Sequence, residues 1–224
     1  MPPDSQTIRG LAERFRDPRL LDQALTHRSA GNRNNERLEF LGDGILNFVI
    51  AAELFARRPE ADEGDLSRLR ATLVRKETLA EVARELGLGD ALKLGQGEMR
   101  SGGFRRASIL ADALEAVLGA LYIDSGFDGC ADVIRDWFAK RLDHLPAAAA
   151  LKDAKTRLQE YLQARQIPLP EYDLDRTEGA DHARIFHVVV RIPDRGIELA
   201  ASGSSRRKAE QAAAALALEA VEDA

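Results

Sequence analysis

The sequence predicts a mainly α-helical domain followed by a small α+β domain, on three observations. Residues of high helix propensity dominate, and aromatics make up only 5% of the chain. Up to residue 147 the apolar positions recur at helical spacing. After Pro146-Ala147-Ala148-Ala149-Ala150 the pattern changes to one helix, three strands and a final helix. A chain of 224 residues is long enough for two cores. The first domain is placed at 1–147, a linker at 148–152 and the second domain at 153–224.

Residues 5–30 read as a short amphipathic helix, a break at Pro18, and a second helix carrying Leu20, Leu21, Ala24 and Leu25. The polar loop Gly31-Asn32-Arg33-Asn34 leads into Asn35-Glu36-Arg37-Leu38-Glu39-Phe40-Leu41-Gly42-Asp43, with Asn34 or Asn35 as N-cap. This helix runs to about Arg58, because Pro59 stops it. At ~100° per residue, Glu36, Glu39 and Asp43 share a stripe roughly 60° wide. Leu38, Leu41, Ile45, Phe48, Val49 and Ala52 fall opposite, on the expected core side. Beyond Asp43 the acidic stripe continues as Leu46, Ile50 and Leu54, so the second half is apolar nearly all round. Such a helix is buried on more than one side, by other helices of the subunit or by a second subunit.

Asp62-Glu63-Gly64-Asp65 is an acidic turn before a helix in which Leu66, Leu69, Leu73 and Val74 keep helical spacing. The next helix, 78–86, ends at Gly87 as its C-cap. Segment 95–106, rich in Gly and Arg, reads as an exposed loop, with Arg100, Arg105 and Arg106 either solvated or free to contact a polyanion. It lacks the GxxxxGK[ST] pattern of a nucleoside-triphosphate cradle. Helix 108–124 is almost wholly apolar apart from Asp112 and Glu115, and Gly119 continues their stripe, leaving room for another backbone. Helix 129–145 carries Val133, Ile134, Trp137, Phe138 and Leu142. In the second domain a helix at 153–165 precedes strands at 171–176, 185–192 and 198–201, and an Ala-rich helix at 205–221.

Charge sets limits on function. The net charge is −5, and neither domain is basic: 21 Lys/Arg face 24 Asp/Glu up to residue 150, and 11 face 13 beyond it. Polyanion binding must therefore come from local clusters. No signal-like segment or membrane span is visible, and the single cysteine, Cys130, has no intrachain partner; a cytoplasmic protein is expected.

Two helices carry carboxylates on sides that apolar residues ought to occupy. An ionised carboxylate in such a place needs a compensating positive charge. A shared divalent cation bound by Glu39, Asp43, Asp112 and Glu115 answers that need more simply than separate arginines do. The all-oxygen set favours Mg²⁺, with Mn²⁺ as a substitute, and there is no His/Cys cluster of zinc spacing. No organic cofactor is called for.

Asn35 to Asp43 resembles the signature of ribonuclease III, the double-stranded-RNA endonucleases. Asp62-Glu63-Gly64-Asp65 and Ile109-Leu110-Ala111-Asp112-Ala113-Leu114-Glu115-Ala116 resemble two further motifs of that family, in the same order. The resemblance implies the helical ribonuclease III catalytic fold and a homodimer in which each subunit cuts one strand. It implies Glu39, Asp43, Asp112 and Glu115 as the catalytic, metal-binding set, Glu36 and Glu63 as accessory acids, and Phe40 as a dimer contact. It further implies 5′-phosphate and 3′-hydroxyl ends with short 3′ overhangs, and processing of ribosomal and other precursor RNAs.

In the second domain, Arg206-Arg207-Lys208 stands where the last helix begins, after Ser205. Three cations there oppose the helix dipole, an arrangement that makes sense if a phosphate sits against them. The α-β-β-β-α order with this cluster resembles a double-stranded RNA-binding domain. That likeness implies duplex contacts from Thr156, Gln159, Glu160 and Gln163, from the loop with His182, and from Ser205 with Arg206 to Lys208. Ala180 and Glu210 depart from the family pattern and imply modest affinity for duplex. The rival readings are a non-cleaving RNA-binding regulator, which has no need of an intact acidic set, and a hydrolase of small phosphoesters, which has no need of residues 151–224.

Overall fold

The structure, a computed structural model, describes residues 8–147, 152–180 and 183–222. The chain divides into two compact units, residues 1–148 and 149–224. Of the proposed linker, only Lys152 lies among the described residues.

The first unit is helical: α1 (Ile8–Ala12), α2 (Pro18–Ala24), α3 (Glu36–Arg57), α4 (Glu63–Val74), α5 (Lys76–Glu85), α6 (Leu88–Ala91), α7 (Gln96–Arg100) and α8 (Ala107–Asp143). The expected break separates α1 from α2, and Pro18 stands at its end as the first residue of α2, where its missing N–H costs nothing; the Asp17 carboxylate caps that helix by accepting from the Arg19 N–H. Gly126, at φ 78°, divides α8 into the two helical pieces the sequence implies. Segment 95–106 is more ordered than its composition suggests. It forms α7 and a 3₁₀ turn at Gly103–Arg105, held by the Arg106–Glu98 ion pair at 2.9 Å.

Helices α3 and α8 form the centre of this unit, and two glycines set how closely they cross. A Cβ on Gly42 would lie 1.8 Å from the Glu115 carbonyl oxygen, and one on Gly119 would lie 2.1 Å from that of Leu38. Only hydrogen fits at either point, so the backbones meet almost directly. Leu46, Ile50 and Leu54 on α3 and Leu114, Val117 and Leu118 on α8 are buried around the crossing. Each such side chain stabilises the unit by roughly 1.5–3 kcal/mol.

One expectation fails on α3. Leu38, Ile45 and Val49 are core, but Phe48 is 61% exposed and Ala52 is exposed as well. The side that continues the acidic stripe, with Leu46, Ile50 and Leu54, is instead the most deeply buried one. The carboxylates and the core thus share the face turned toward α8.

The second unit comprises α9 (Ala154–Ala164), β1 (Glu171–Glu178), β2 (Ile185–Ile192), β3 (Ile197–Gly203) and α10 (Arg206–Glu222). The antiparallel sheet has the order β1-β2-β3. The outer strands run two to three residues beyond the predicted limits because pairing with β2 extends to Glu178 and Gly203. Leu158 and Leu162 of α9 and Val188, Val190 and Ile192 of β2 close a core with Ala209, Ala213, Ala214 and Ala217. The small alanines let α10 lie close to the sheet.

Candidate active site

The crossing brings three carboxylates together. Glu39 on the first turn of α3 and Asp112 and Glu115 on α8 each offer an oxygen within 4.8 Å of the others. Their sequence spacing explains the meeting: Glu39 lies three residues before Gly42, and Glu115 four before Gly119, so the close approach of the two backbones carries the acids with it.

The cluster is short of positive charge. Glu115 is pushed up to about 8, by burial first and then by Asp43, Glu39 and Asp112. Glu39 is raised by burial, then by Asp112 and Glu36. Burial also raises Asp112, against the opposing pull of Lys76, His27 and Arg28. Lys76, the first residue of α5, faces both Asp112 and Glu115, and no motif in the sequence marked it.

Asp43 stands one turn further along α3, outside the cluster of three. Its carboxylate accepts a hydrogen bond of 2.8 Å from the Asn47 side chain, yet it is the strongest like-charge influence on Glu115. Glu36 is exposed and turned to other partners, Arg28 at 3.6 Å and the Asn34 amide at 3.2 Å. Glu63 begins α4 and accepts from the Ser67 hydroxyl at 2.8 Å, beside Phe48 and Phe55 rather than in the cluster. Phe40 is 83% exposed. Phe48 and Phe55 are exposed too, and Phe48 meets the Phe127 ring edge-on at 5.6 Å.

A family model described as Ribonuclease-III-like matches residues 17–142, and the double-stranded RNA binding motif matches residues 154–221. The chain belongs to the ribonuclease III family. It is 58% identical to Ribonuclease 3 of Hahella chejuensis over 94% of this chain and 93% of that one. To Ribonuclease 3 of Vibrio vulnificus strain YJ016 it is 54% identical, over 97% and 96%. The nuclease domain of ribonuclease III from Campylobacter jejuni superposes with a TM-score of 0.58 at 41% identity, covering 60% of this chain and 95% of that domain. A nuclease domain followed by a double-stranded RNA-binding motif is the composition of a double-stranded-RNA endoribonuclease.

The residues expected to touch RNA form exposed surfaces in the second unit. Gln159, Glu160 and Gln163 are exposed on α9 and Thr156 is partly so. Glu160 is held by Lys152 at 2.7 Å. The Ser205 hydroxyl accepts from the Lys208 N–H at 3.2 Å and so caps α10, while Arg206, Arg207 and Lys208 stay exposed. Glu210 pairs with both Arg206, at 2.9 Å, and Lys155 of α9, at 2.8 Å. His182 lies outside the described residues. Arg105 lies over the Phe104 ring at 4.8 Å, and Arg100 is exposed. No described helix is long and apolar enough to cross a membrane.

Proposed function

We propose that the protein hydrolyses phosphodiester bonds of duplex RNA with Mg²⁺, leaving 5′-phosphate and 3′-hydroxyl ends with short 3′ overhangs. The observation that carries this reading is the meeting of Glu39, Asp112 and Glu115 with a Glu115 carboxyl pushed up to about 8. Carboxylates forced together in this way bind protons or a cation, and the all-oxygen donor set suits a hard divalent ion. Glu39, Asp112 and Glu115 would hold it, with Asp43 adding charge from the next turn. When bound, such an ion acidifies water and screens charge developing on the phosphate.

The chain's own groups do the rest. The α3–α8 crossing fixes the carboxylates at rigid helix positions, so little reorganisation accompanies cleavage. Lys76 offsets part of the negative field without joining the cluster. The exposed cations at the start of α10 and the polar residues of α9 hold the duplex by phosphates and by 2′-hydroxyls.

The active form is read as a homodimer. Phe40, Phe48 and Phe55 line one exposed side of α3, and a second copy of this chain is the partner such a face suits. The nuclease domain of the Campylobacter jejuni relative likewise has a region involved in dimer formation. Processing of ribosomal and other precursor RNAs in the cytoplasm completes the reading.

A gel of end-labelled duplex RNA, run with Mg²⁺ and with chelator, tests it. Discrete cleavage only with the ion is expected. An uncut duplex in Mg²⁺, or equal cutting in chelator, overturns the proposal.

A further inference from the structure

His27 stands half-buried in the wall of a cavity of about 380 Å³ beside the carboxylate cluster, with Arg28, Glu39, Arg106, Ser108 and Asp112. Its ring is held from one side. The Ser29 N–H donates to Nδ1 at 3.2 Å, and the Ser29 hydroxyl lies 2.8 Å from the same atom. That hydroxyl oxygen accepts from the Gly95 N–H at 2.9 Å, which leaves its own proton for Nδ1. A backbone N–H can only donate, so Nδ1 carries a lone pair and the neutral ring bears its proton on Nε2. The loop around the ring is fixed as well. The His27 N–H donates to the Lys93 carbonyl at 3.0 Å, and a Cβ on Gly95 would lie 2.3 Å from the Ser29 carbonyl oxygen.

With the Nδ1 edge closed by Ser29, the ring meets the cavity through its Nε2 edge. Nε2 is accessible and has no hydrogen-bond partner among the described residues. The ring is near enough to pull on Asp112, yet it makes no hydrogen bond or ion pair with Asp112 or Glu39. A nitrogen that bears a proton cannot ligate a cation. What completes Nε2 is an acceptor brought in by a ligand.

We propose that His27 Nε2 donates to a non-bridging oxygen of the phosphate adjoining the cleaved one on the same strand, making His27 a substrate-binding residue. This rests on the reading of Glu39, Asp112 and Glu115 as the cleavage centre for duplex RNA. The walls favour the adjoining phosphate over the cleaved one. Glu39 and Asp112 line the cavity and Glu115 does not, so a group inside it lies beside the cluster rather than over it. Arg28 and Arg106 line the same cavity and bring positive charge to it. Their ion pairs, with Glu36 at 3.6 Å and Glu98 at 2.9 Å, are open to solvent, and such pairs yield to a phosphate at little cost. A neutral imidazole N–H adds a directed, charge-assisted hydrogen bond to a phosphate oxygen.

The test uses end-labelled duplexes cleaved by the full chain with Mg²⁺, each with one methylphosphonate at a phosphate adjoining the cut. Each linkage is built on a 2′-deoxynucleotide and compared with the 2′-deoxy phosphate control. In the wild type, one of the two positions is expected to lower kcat/KM about tenfold, the size of one charge-assisted hydrogen bond. His27→Phe keeps a ring but no donor. It should lose about as much on the unmodified duplex and show little further loss at that position. His27→Leu takes its place if the phenylalanine variant fails to fold. Calorimetric affinity for Mg²⁺ should stay within about twofold of wild type in either variant. A wild type indifferent to both methylphosphonates overturns the proposal. So does an unchanged tenfold penalty in a folded variant, or a loss of Mg²⁺ affinity as large as the loss of cleavage. Absence of cleavage of the unmodified duplex by the wild type would instead defeat the underlying reading of the function.

Discussion

The two units of this chain manage charge in opposite ways. At the α3–α8 crossing, carboxylates are pressed together, and Glu115 is displaced to about 8 by burial and by its acidic neighbours. In the second unit the cations of α9 and α10 and their surroundings lie against acids: Glu210 with Lys155 and Arg206, Glu160 with Lys152. The Glu210 carboxyl is held below its ordinary range, first of all by Lys155. The nuclease unit keeps an unfavourable concentration of like charge, which the proposed divalent cation would relieve. The second unit keeps its cations in surface ion pairs, which under the proposed function a phosphate would replace at little cost. Under the proposed function, a localised ion and a long, reversibly bound polyanion would call for these two different arrangements.

The sharpest way to break the contrast is to part the helices. Gly119→Ala places a methyl group against the Leu38 carbonyl, where its Cβ would sit 2.1 Å away. We expect a loss of about 3 kcal/mol, or roughly 10 °C in Tm, together with loss of cleavage. A melt within a degree or two of wild type would remove the crossing as the site's foundation.

Glu115→Gln separates strain from fold. Cleavage in Mg²⁺ should fall at least a hundredfold, with duplex binding retained. Stability should move the other way. Glu115 in the folded chain holds its proton to about pH 8, against an ordinary value near 4.5. Folded-state proton binding then exceeds that of the unfolded chain between those values, so the cation-free protein loses stability as pH rises across that window and levels off above it. Melts in chelator from pH 5 to pH 9 should show a steeper slope in the wild type than in Glu115→Gln, where the raised Glu39 and Asp112 carboxyls still contribute.

The smallest expected effect belongs to the second unit. Removing Arg206 and Arg207 together should weaken duplex binding about tenfold and flatten its salt dependence by about two counterions. Binding measured across salt concentrations checks this, and an unchanged slope would place the phosphate contacts elsewhere.

Much of this was legible in the sequence where periodicity alone decides. The stripe of Glu39 and Asp43, the acids within the apolar α8 and the small residue at Gly119 together foretold two helices in close contact. What failed depended on contacts remote in sequence. A helical wheel ranks Phe48 and Ala52 with Leu38 because it measures hydrophobicity, not whether another element covers the face. Lys76 reaches the cluster only because α5 packs on α8. Of the two residues expected to cap α3, the Asn34 side-chain oxygen accepts from the Glu36 N–H and Asn35 makes no side-chain capping bond, a choice that residue type alone does not decide. Order in segment 95–106 rests on Glu98 and Arg106 meeting across a turn, which composition does not reveal.

The central claim is that this cluster exchanges a proton for a divalent cation. Calorimetric titration of the wild type with Mg²⁺ at pH 7, in two buffers of different ionisation enthalpy, counts the protons released. With the Glu115 carboxyl at about 8, close to one proton per site should leave as the ion binds. Binding of Mg²⁺ with no proton released would contradict the account.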